Sequence, residues 1–317
     1  MTDPGVLKQL QDRYEIPGGL RFEAGPKGLI RAVVATPQAG AQVYLHGAHV
    51  THYQPRGERP VLFMSAHSWF EPGKPIRGGV PIVFPWFGPR ASDPSAPAHG
   101  FARLAEWHME SATQAADGSV TLVLGLDAAK ATNPAWPHAY ELRYRVGVGG
   151  TLGLFLEVRN TSDGAITFEE ALHTYLAVSD VRRVSIAGLA GADYLDKTDG
   201  MRRKTQGPDP ICITGETDRV YLNTQTTCVV DDPAGGRRLV VNKQGSDVTV
   251  VWDPWVAKAQ AMPDFGDDEW PQMLCIETCN AADHAVTLPP GHRHEMRATI
   301  RSEPRYGGDP RCRAHVS

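Results

Sequence analysis

Long apolar runs are missing from this sequence. Nothing approaches 18 consecutive apolar residues, the length at which a membrane-spanning helix becomes a candidate. The first 25 residues also lack the apolar centre of a secretory leader. A charge excess is missing too: 32 Lys and Arg stand against 36 Asp and Glu, interspersed along the chain. No basic face for nucleic acid follows from that balance, and Arg182-Arg183 and Arg202-Arg203-Lys204 read as solvated surface. Cysteines are few and odd in number, at 212, 228, 275, 279 and 312. Cys275 and Cys279 lack the spacing of a zinc ribbon, so reduced thiols are expected. Helical periodicity is nearly absent after residue 16, and no repeat, low-complexity tract or composition break marks a linker. These absences leave a soluble, cytoplasmic chain with neither a membrane nor a nucleic-acid partner. Residues 1–317 are expected to form one all-β domain with a helical extension over 1–16, and a sandwich of this size can be monomeric.

What is present is a 41% apolar composition in short, punctuated stretches. Thr2-Asp3-Pro4-Gly5 followed by Val6–Tyr14 predicts a short capped helix with proline in its first turn. Strand-like runs follow at Leu20–Ala24, Leu29–Ala35, Ala41–Leu45 and Val50–Gln54. Tyr140–Val146 alternates strictly, with Val120–Leu124 and Leu152–Val158 on either side, which predicts an antiparallel meander. Thr167–Val178, Val184–Ile186, Thr226–Val230, Leu239–Asn242 and Val248–Trp252 continue the pattern.

One stretch departs from it. Arg77–Pro89 is rich in Gly, Pro and aromatic residues, and His99-Gly-Phe-Ala-Arg103 follows closely. Pro81 and Pro85 deny the backbone two N–H donors, so the stretch cannot be a central strand throughout. It reads as a rigid, buried segment that aims polar side chains into a cavity. Trp69, Phe70, Phe84, Trp86, Phe87, Trp252 and Trp255 crowd the candidate cavity segments, where they could stack on sugar rings or simply pack the core.

Several polar residues are weighed as candidates for chemistry. His173 would share a strand face with Tyr175 and Ala177, opposite Leu172 and Thr174. Glu277 ends the apolar run Met273-Leu-Cys-Ile, and a carboxylate in a buried strand is rare unless paired or functional. Arg77 and Arg103 offer guanidinium forks suited to phosphate or carboxylate. His46, His49 and His52 do not share one face of a strand, so a metal site there is not expected. His292 and His294 share a strand face but show no evident carboxylate partner in the sequence.

Ile76–Gly88 with His99–Arg103 resembles the hexose-6-phosphate mutarotases (glucose-6-phosphate 1-epimerases) of the aldose 1-epimerase superfamily. The likeness continues through Ala171–Tyr175, Gly215–Tyr221, Val251–Trp255, Ala261–Phe265 and Cys275-Ile-Glu277, covering about residues 25 to 300 in the family's order. It implies a large antiparallel β-sandwich of the galactose-mutarotase type with the sugar in a groove on one sheet. It also implies His173 as general acid, Glu277 as general base, Arg77 and Arg103 as phosphate contacts, and His99 and Asp218 on sugar hydroxyls or neighbouring polar groups. No metal and no organic cofactor are implied. Two departures stand out: Ala98 where relatives often carry Gln, and Asp253 where they often carry Asn.

Interconverting anomers requires a proton to leave the C1 hydroxyl while another reaches the ring oxygen. An acid and a base on opposite sides of the reacting centre would serve, each worth about 10²–10⁴-fold. Three other readings compete. A carbohydrate-binding sandwich would need the aromatic residues and arginines without the His173–Glu277 pair. A glycoside hydrolase would need a second carboxylate such as Glu169 or Glu170. A metal-dependent sugar isomerase would use the histidine cluster.

Overall fold

Strict alternation in the sequence corresponds to two long central strands of the fold. The structure, a computed structural model, describes residues 4–90 and 92–305. Tyr140–Val148 and Leu152–Asn160 bury every second side chain along their whole length. They lie at the heart of an antiparallel eight-stranded sheet. Its order is Ser185–Ala187, Cys228–Asp232, Arg237–Gln244, Arg293–Pro304, Leu152–Asn160, Tyr140–Val148, Val120–Asp127 and His108–Gln114.

A second eight-stranded sheet runs Arg202–Thr205, Asp193–Asp196, Thr217–Tyr221, Val248–Asp253, Met273–Asn280, Glu170–Leu172 and Ile82–Val83, with Tyr175–Ala177 also pairing to Met273–Asn280. Met273–Asn280 and Val248–Asp253 are buried at every position, on both faces. An apolar core draws on both sheets and on a four-stranded antiparallel sheet formed by Leu20–Ala24, Ile30–Ala35, Ala39–Tyr44 and His49–Pro55. The expected all-β sandwich is therefore present. The N-terminal helix spans Pro4–Tyr14 and docks through buried Leu10 and a Tyr14 hydroxyl bond to Met109 O at 2.9 Å. Thr2 and Asp3 of the expected cap lie outside the described residues. Among those described, no helix is long and apolar enough to cross a membrane.

Three expectations need correction. Thr167–Val178 is not one strand but three pieces: Ile166–Phe168, Glu170–Leu172 and Tyr175–Ala177. At the second break, Thr174 N turns back to Leu172 O at 2.9 Å. Trp255–Ala261 is a helix that seven residues are too few to reveal by periodicity. Just before it, Asp253 Oδ1 accepts from Trp255 N at 2.9 Å, an Asx turn that leads into the helix through Pro254 at the N-cap. Finally, Cys228, Cys275 and Cys279 are free thiols, whereas Cys212 is disulfide-bonded. Sequence spacing carries no information on such through-space approach, and Cys312 lies outside the described residues.

Arg77–Pro89 forms the rim of the second sheet. Its carbonyls at Gly79, Pro81 and Pro85 accept from Tyr175 N, His173 N and Glu169 N at 2.9, 3.1 and 2.9 Å. Proline is tolerated there because an edge needs acceptors on one side only. Glycine is required at two points. A Cβ at Gly79 (φ 61) would sit 2.2 Å from Val50 O, and one at Gly100 (φ 71) would sit 2.0 Å from Phe84 O.

Candidate active site

Sheet register assembles the polar residues. Tyr175 lies opposite Cys275, Cys275 opposite Trp252, and Trp252 opposite Asp218, so these four point to one face across four strands. One step along that face come His173 and Glu277. Leu172 opposite Thr278 and Tyr175 opposite Cys275 bracket them and set them across from each other. The break after Leu172 does not shift this register. His173 Nε2 lies 3.4 Å from Glu277 Oε1, with both side chains nearly excluded from solvent. The expected placement on opposite sides of a reacting centre is thus replaced by a side-by-side pair.

The pair sits in a cavity of about 190 Å³ lined by Arg77, Phe87, His99, Lys197, Asp218, Trp252, Lys258 and Met262 as well. Tyr175 stacks flat on His173 at 4.8 Å and 10°. Trp252 meets the His173 ring edge-on at 5.9 Å, and His99 does so at 5.6 Å. His99 Nδ1 accepts from Gly88 N at 3.3 Å, which leaves Nε2 as the protonated nitrogen of a neutral ring. His173 Nδ1 and Glu277 Oε2 are buried and have no partner among the described residues.

Burial holds His173 well below the ordinary histidine range, and the charges of Arg103, Arg77 and Lys197 push the same way. Burial raises Glu277 well above the ordinary carboxylate range, helped by Asp218 and opposed by Lys197 and Arg103. Both shifts disfavour separated charge on the pair.

The expected arginines behave differently from each other. Arg77 lines the cavity, yet Nε and Nη2 are held by Asp264 at 3.2 Å each, and Nη1 donates to Tyr175 Oη at 3.0 Å. Two of its five N–H groups are left for a ligand. Arg103 does not line the cavity. Its Nη2 donates to Ala98 O at 2.7 Å, and burial lowers its pKa to about 10, so it acts on His99, His173 and Glu277 through its charge. The backbone of Ala98 is thus used even where the side chain is small.

Sequence reasoning missed two cations. Lys197, in a turn after Asp193–Asp196, lies 3.0 Å from Asp218 Oδ2 and over the Phe87 ring. Lys258, on the short helix, lies 3.0 Å from Glu216 and 3.9 Å from Asp218. Exposed-looking lysines give no sequence signal, although the Ala/Lys/Gln composition of Trp255–Ala261 could have suggested the helix. Of the seven aromatic residues expected near the cavity, only Phe87 and Trp252 line it; Phe84 and Trp86 are core residues.

The histidines elsewhere have other partners. His46 Nε2 and His49 Nε2 bond to the carbonyls of Lys74 and Gly78 at 2.8 and 2.7 Å. His294 does have a carboxylate partner, Glu170, at 2.7 Å, a contact between sheets that linear spacing could not show. Glu169 is also engaged, accepting from Phe87 N and Ala282 N at 2.8 Å each. Neither glutamate lines the cavity, so neither stands beside Glu277 as the second carboxylate of a hydrolase.

A sandwich with a His–Glu pair and flanking cations in a groove on one sheet defines a class of sugar-handling protein, and comparison with known proteins is specific. The aldose 1-epimerase family pattern matches residues 32–301. Relatives provisionally named glucose-6-phosphate 1-epimerase include one from Escherichia coli K12, 38% identical over 251 residues, spanning 79% of this chain and 83% of the relative. One from Cenchrus ciliaris is 36% identical over 290 residues, spanning 88% and 86%. The crystal structure of a provisionally assigned mutarotase from Salmonella typhimurium superposes with a TM-score of 0.85 at 32% identity, covering 92% of this chain and 96% of that one. A galactose 1-epimerase from Lactobacillus acidophilus shares the fold alone, at a TM-score of 0.70 and 14% identity. This chain belongs to the aldose 1-epimerase family.

Proposed function

We propose that the protein interconverts the α and β anomers of a hexose 6-phosphate, with D-glucose 6-phosphate as the first substrate to test. The observation that carries this is the His173–Glu277 contact at 3.4 Å on the floor of a cavity lined by Arg77, Lys197 and Lys258. The C1 hydroxyl and the ring oxygen are bonded to one carbon, so neighbouring acid and base groups can reach both from the same side. Glu277 takes the hydroxyl proton while His173 delivers a proton to the ring oxygen, and the C1–O5 bond breaks to give the aldehyde. Rotation about C1–C2 and reclosure on the other carbonyl face return the protons along the same route. No oxidant or cofactor enters the balance.

The phosphate takes no part in bond breaking, so its contacts supply binding and selectivity. Lys197 and Lys258 join Arg77 in this role, and His99 Nε2–H and Asp218 are the candidates for sugar hydroxyls. Arg103 acts through its charge and through Ala98 rather than by direct contact. Burial and the neighbouring cations hold His173 neutral, and a bound phosphate offsets the cations' share of that shift. The names of the relatives support the phosphorylated substrate, as does the cluster of cations. A cytoplasmic setting, where sugar phosphates are made, belongs to the same reading.

Exchange NMR on α- and β-glucose 6-phosphate tests the proposal. Saturable acceleration of anomer exchange is expected; binding without acceleration would favour a carbohydrate-binding protein instead.

A further inference from the structure

Glu169 has no part in the proton transfers, yet its carboxylate is fully committed. Oε2 accepts from Phe87 N and Oε1 from Ala282 N, each at 2.8 Å. Its own N–H donates to Pro85 O at 2.9 Å. One half-buried residue therefore grips the rim segment at both Pro85 and Phe87, and reaches across to the end of the strand that carries Glu277.

What it grips belongs to the cavity wall. Phe87 lines the cavity and meets the His99 ring edge-on at 5.0 Å. The next residue, Gly88, exchanges two bonds with His99: Gly88 N to Nδ1 at 3.3 Å and His99 N to Gly88 O at 2.8 Å. His99 in turn packs against His173. At the other end, Ala282 has φ 55, a left-handed conformation that alanine adopts only under constraint. A carboxylate that accepts two backbone N–H groups supplies such a constraint, because charge-assisted bonds are shorter and stronger than neutral ones.

We infer that Glu169 is a positioning residue: its carboxylate fixes the Phe87–His99 wall against the Glu277 strand, setting the fit of the sugar without touching it. The inference rests on the mutarotase reading for its effect on substrate, but the clamp itself can be tested without it. Glu169→Gln is the informative change, since an amide offers one oxygen and turns an N–H against the second donor. For comparison, Asp232 also accepts from two backbone N–H groups, Ser179 and Gly235, at 3.1 and 3.0 Å, and does not line the cavity.

The test measures KM and kcat for glucose 6-phosphate, Tm, and amide hydrogen exchange at Phe87 and Ala282, in the wild type, Glu169→Gln and Asp232→Asn. A lost bond to a charged acceptor predicts that Glu169→Gln raises KM about tenfold, with kcat much less affected, and speeds exchange at both amides by a similar factor. Asp232→Asn is expected to lower Tm with KM unchanged. If Glu169→Gln does not fold, Glu169→Asp keeps the charge but is too short to span both donors, and the same shifts are expected. Unchanged KM in the Glu169 variant, or equal KM shifts in both variants, would overturn the inference. A wild type that does not accelerate anomer exchange would sink the mutarotase reading. Amide exchange then decides the clamp alone: faster exchange supports it, and unchanged exchange overturns it.

Discussion

The two eight-stranded sheets are built on opposite rules. At the centre of the first sheet, Tyr140–Val148 and Leu152–Asn160 are long, alternate in burial and pair in unbroken register. In the sheet that carries the cavity, central strands are buried on both faces and one is broken next to His173. Its rim is a Gly/Pro segment that contributes mainly carbonyls. The regular sheet stores stability, and the irregular one holds buried His, Glu and Asp side chains that would be costly anywhere else. Burial that stabilises Leu154 in the first sheet shifts the protonation of His173 and Glu277 in the second. One physical effect, desolvation, builds the frame and tunes the site.

That division can be broken by experiment. Glu277→Gln should lower kcat for anomer exchange by about 10²–10⁴-fold with the fold retained, as judged by circular dichroism and Tm. Activity within tenfold of wild type would remove Glu277 from the mechanism. Leu154→Ala, in the regular sheet, should cost about 2–5 kcal/mol of stability in chemical denaturation. Its KM and kcat should stay at wild-type values; a kinetic change would show that the two sheets are not separable.

Lys197→Met should raise KM for glucose 6-phosphate by about tenfold or more, from loss of a contact to a charged group, with little change for unphosphorylated glucose. Equal effects on both sugars would assign Lys197 to the ring rather than the phosphate. The smallest effect concerns Asp253, whose carboxyl burial raises to about 7 and whose Oδ2 has no partner among the described residues. In the unfolded chain this acid ionises at its ordinary value of 3.8, whereas the folded protein keeps the proton until about 7. The penalty therefore grows as pH rises between those values and is complete above them. Asp253→Asn should raise Tm at pH 8 and leave it almost unchanged at pH 4. The reverse order would contradict the sign of the shift.

The regular sheet was legible because period two is a strong signal, and Tyr140–Val146 was located almost to its ends. His173, Glu277, Arg77, His99 and Asp218 were also legible, and the structure brings all five to one cavity. Their mutual geometry was not, because antiparallel register between residues far apart in sequence sets it. Register, not strand continuity, is what puts His173 beside Glu277. Lys197 and Lys258 were invisible for a different reason: a lysine turned into a groove looks the same in sequence as one turned to water. Arg103 illustrates the converse. Its motif predicted contact, while its guanidinium donates to Ala98 O and Arg103 is not among the residues that line the cavity. Glu169 and Glu170, which a hydrolase reading would need as a second carboxylate, are ties to Phe87 and Ala282 on one side and to His294 on the other.

The central claim is that a buried His–Glu pair opens the ring of a phosphorylated hexose. Its most direct test is exchange NMR on the wild-type protein with glucose 6-phosphate and glucose side by side. The account predicts saturable acceleration for the phosphorylated sugar, with kcat/KM for glucose lower by about tenfold or more, from the loss of contacts to a charged group. Exchange at the uncatalysed rate with saturating glucose 6-phosphate, or equal catalysis of both sugars, would contradict it.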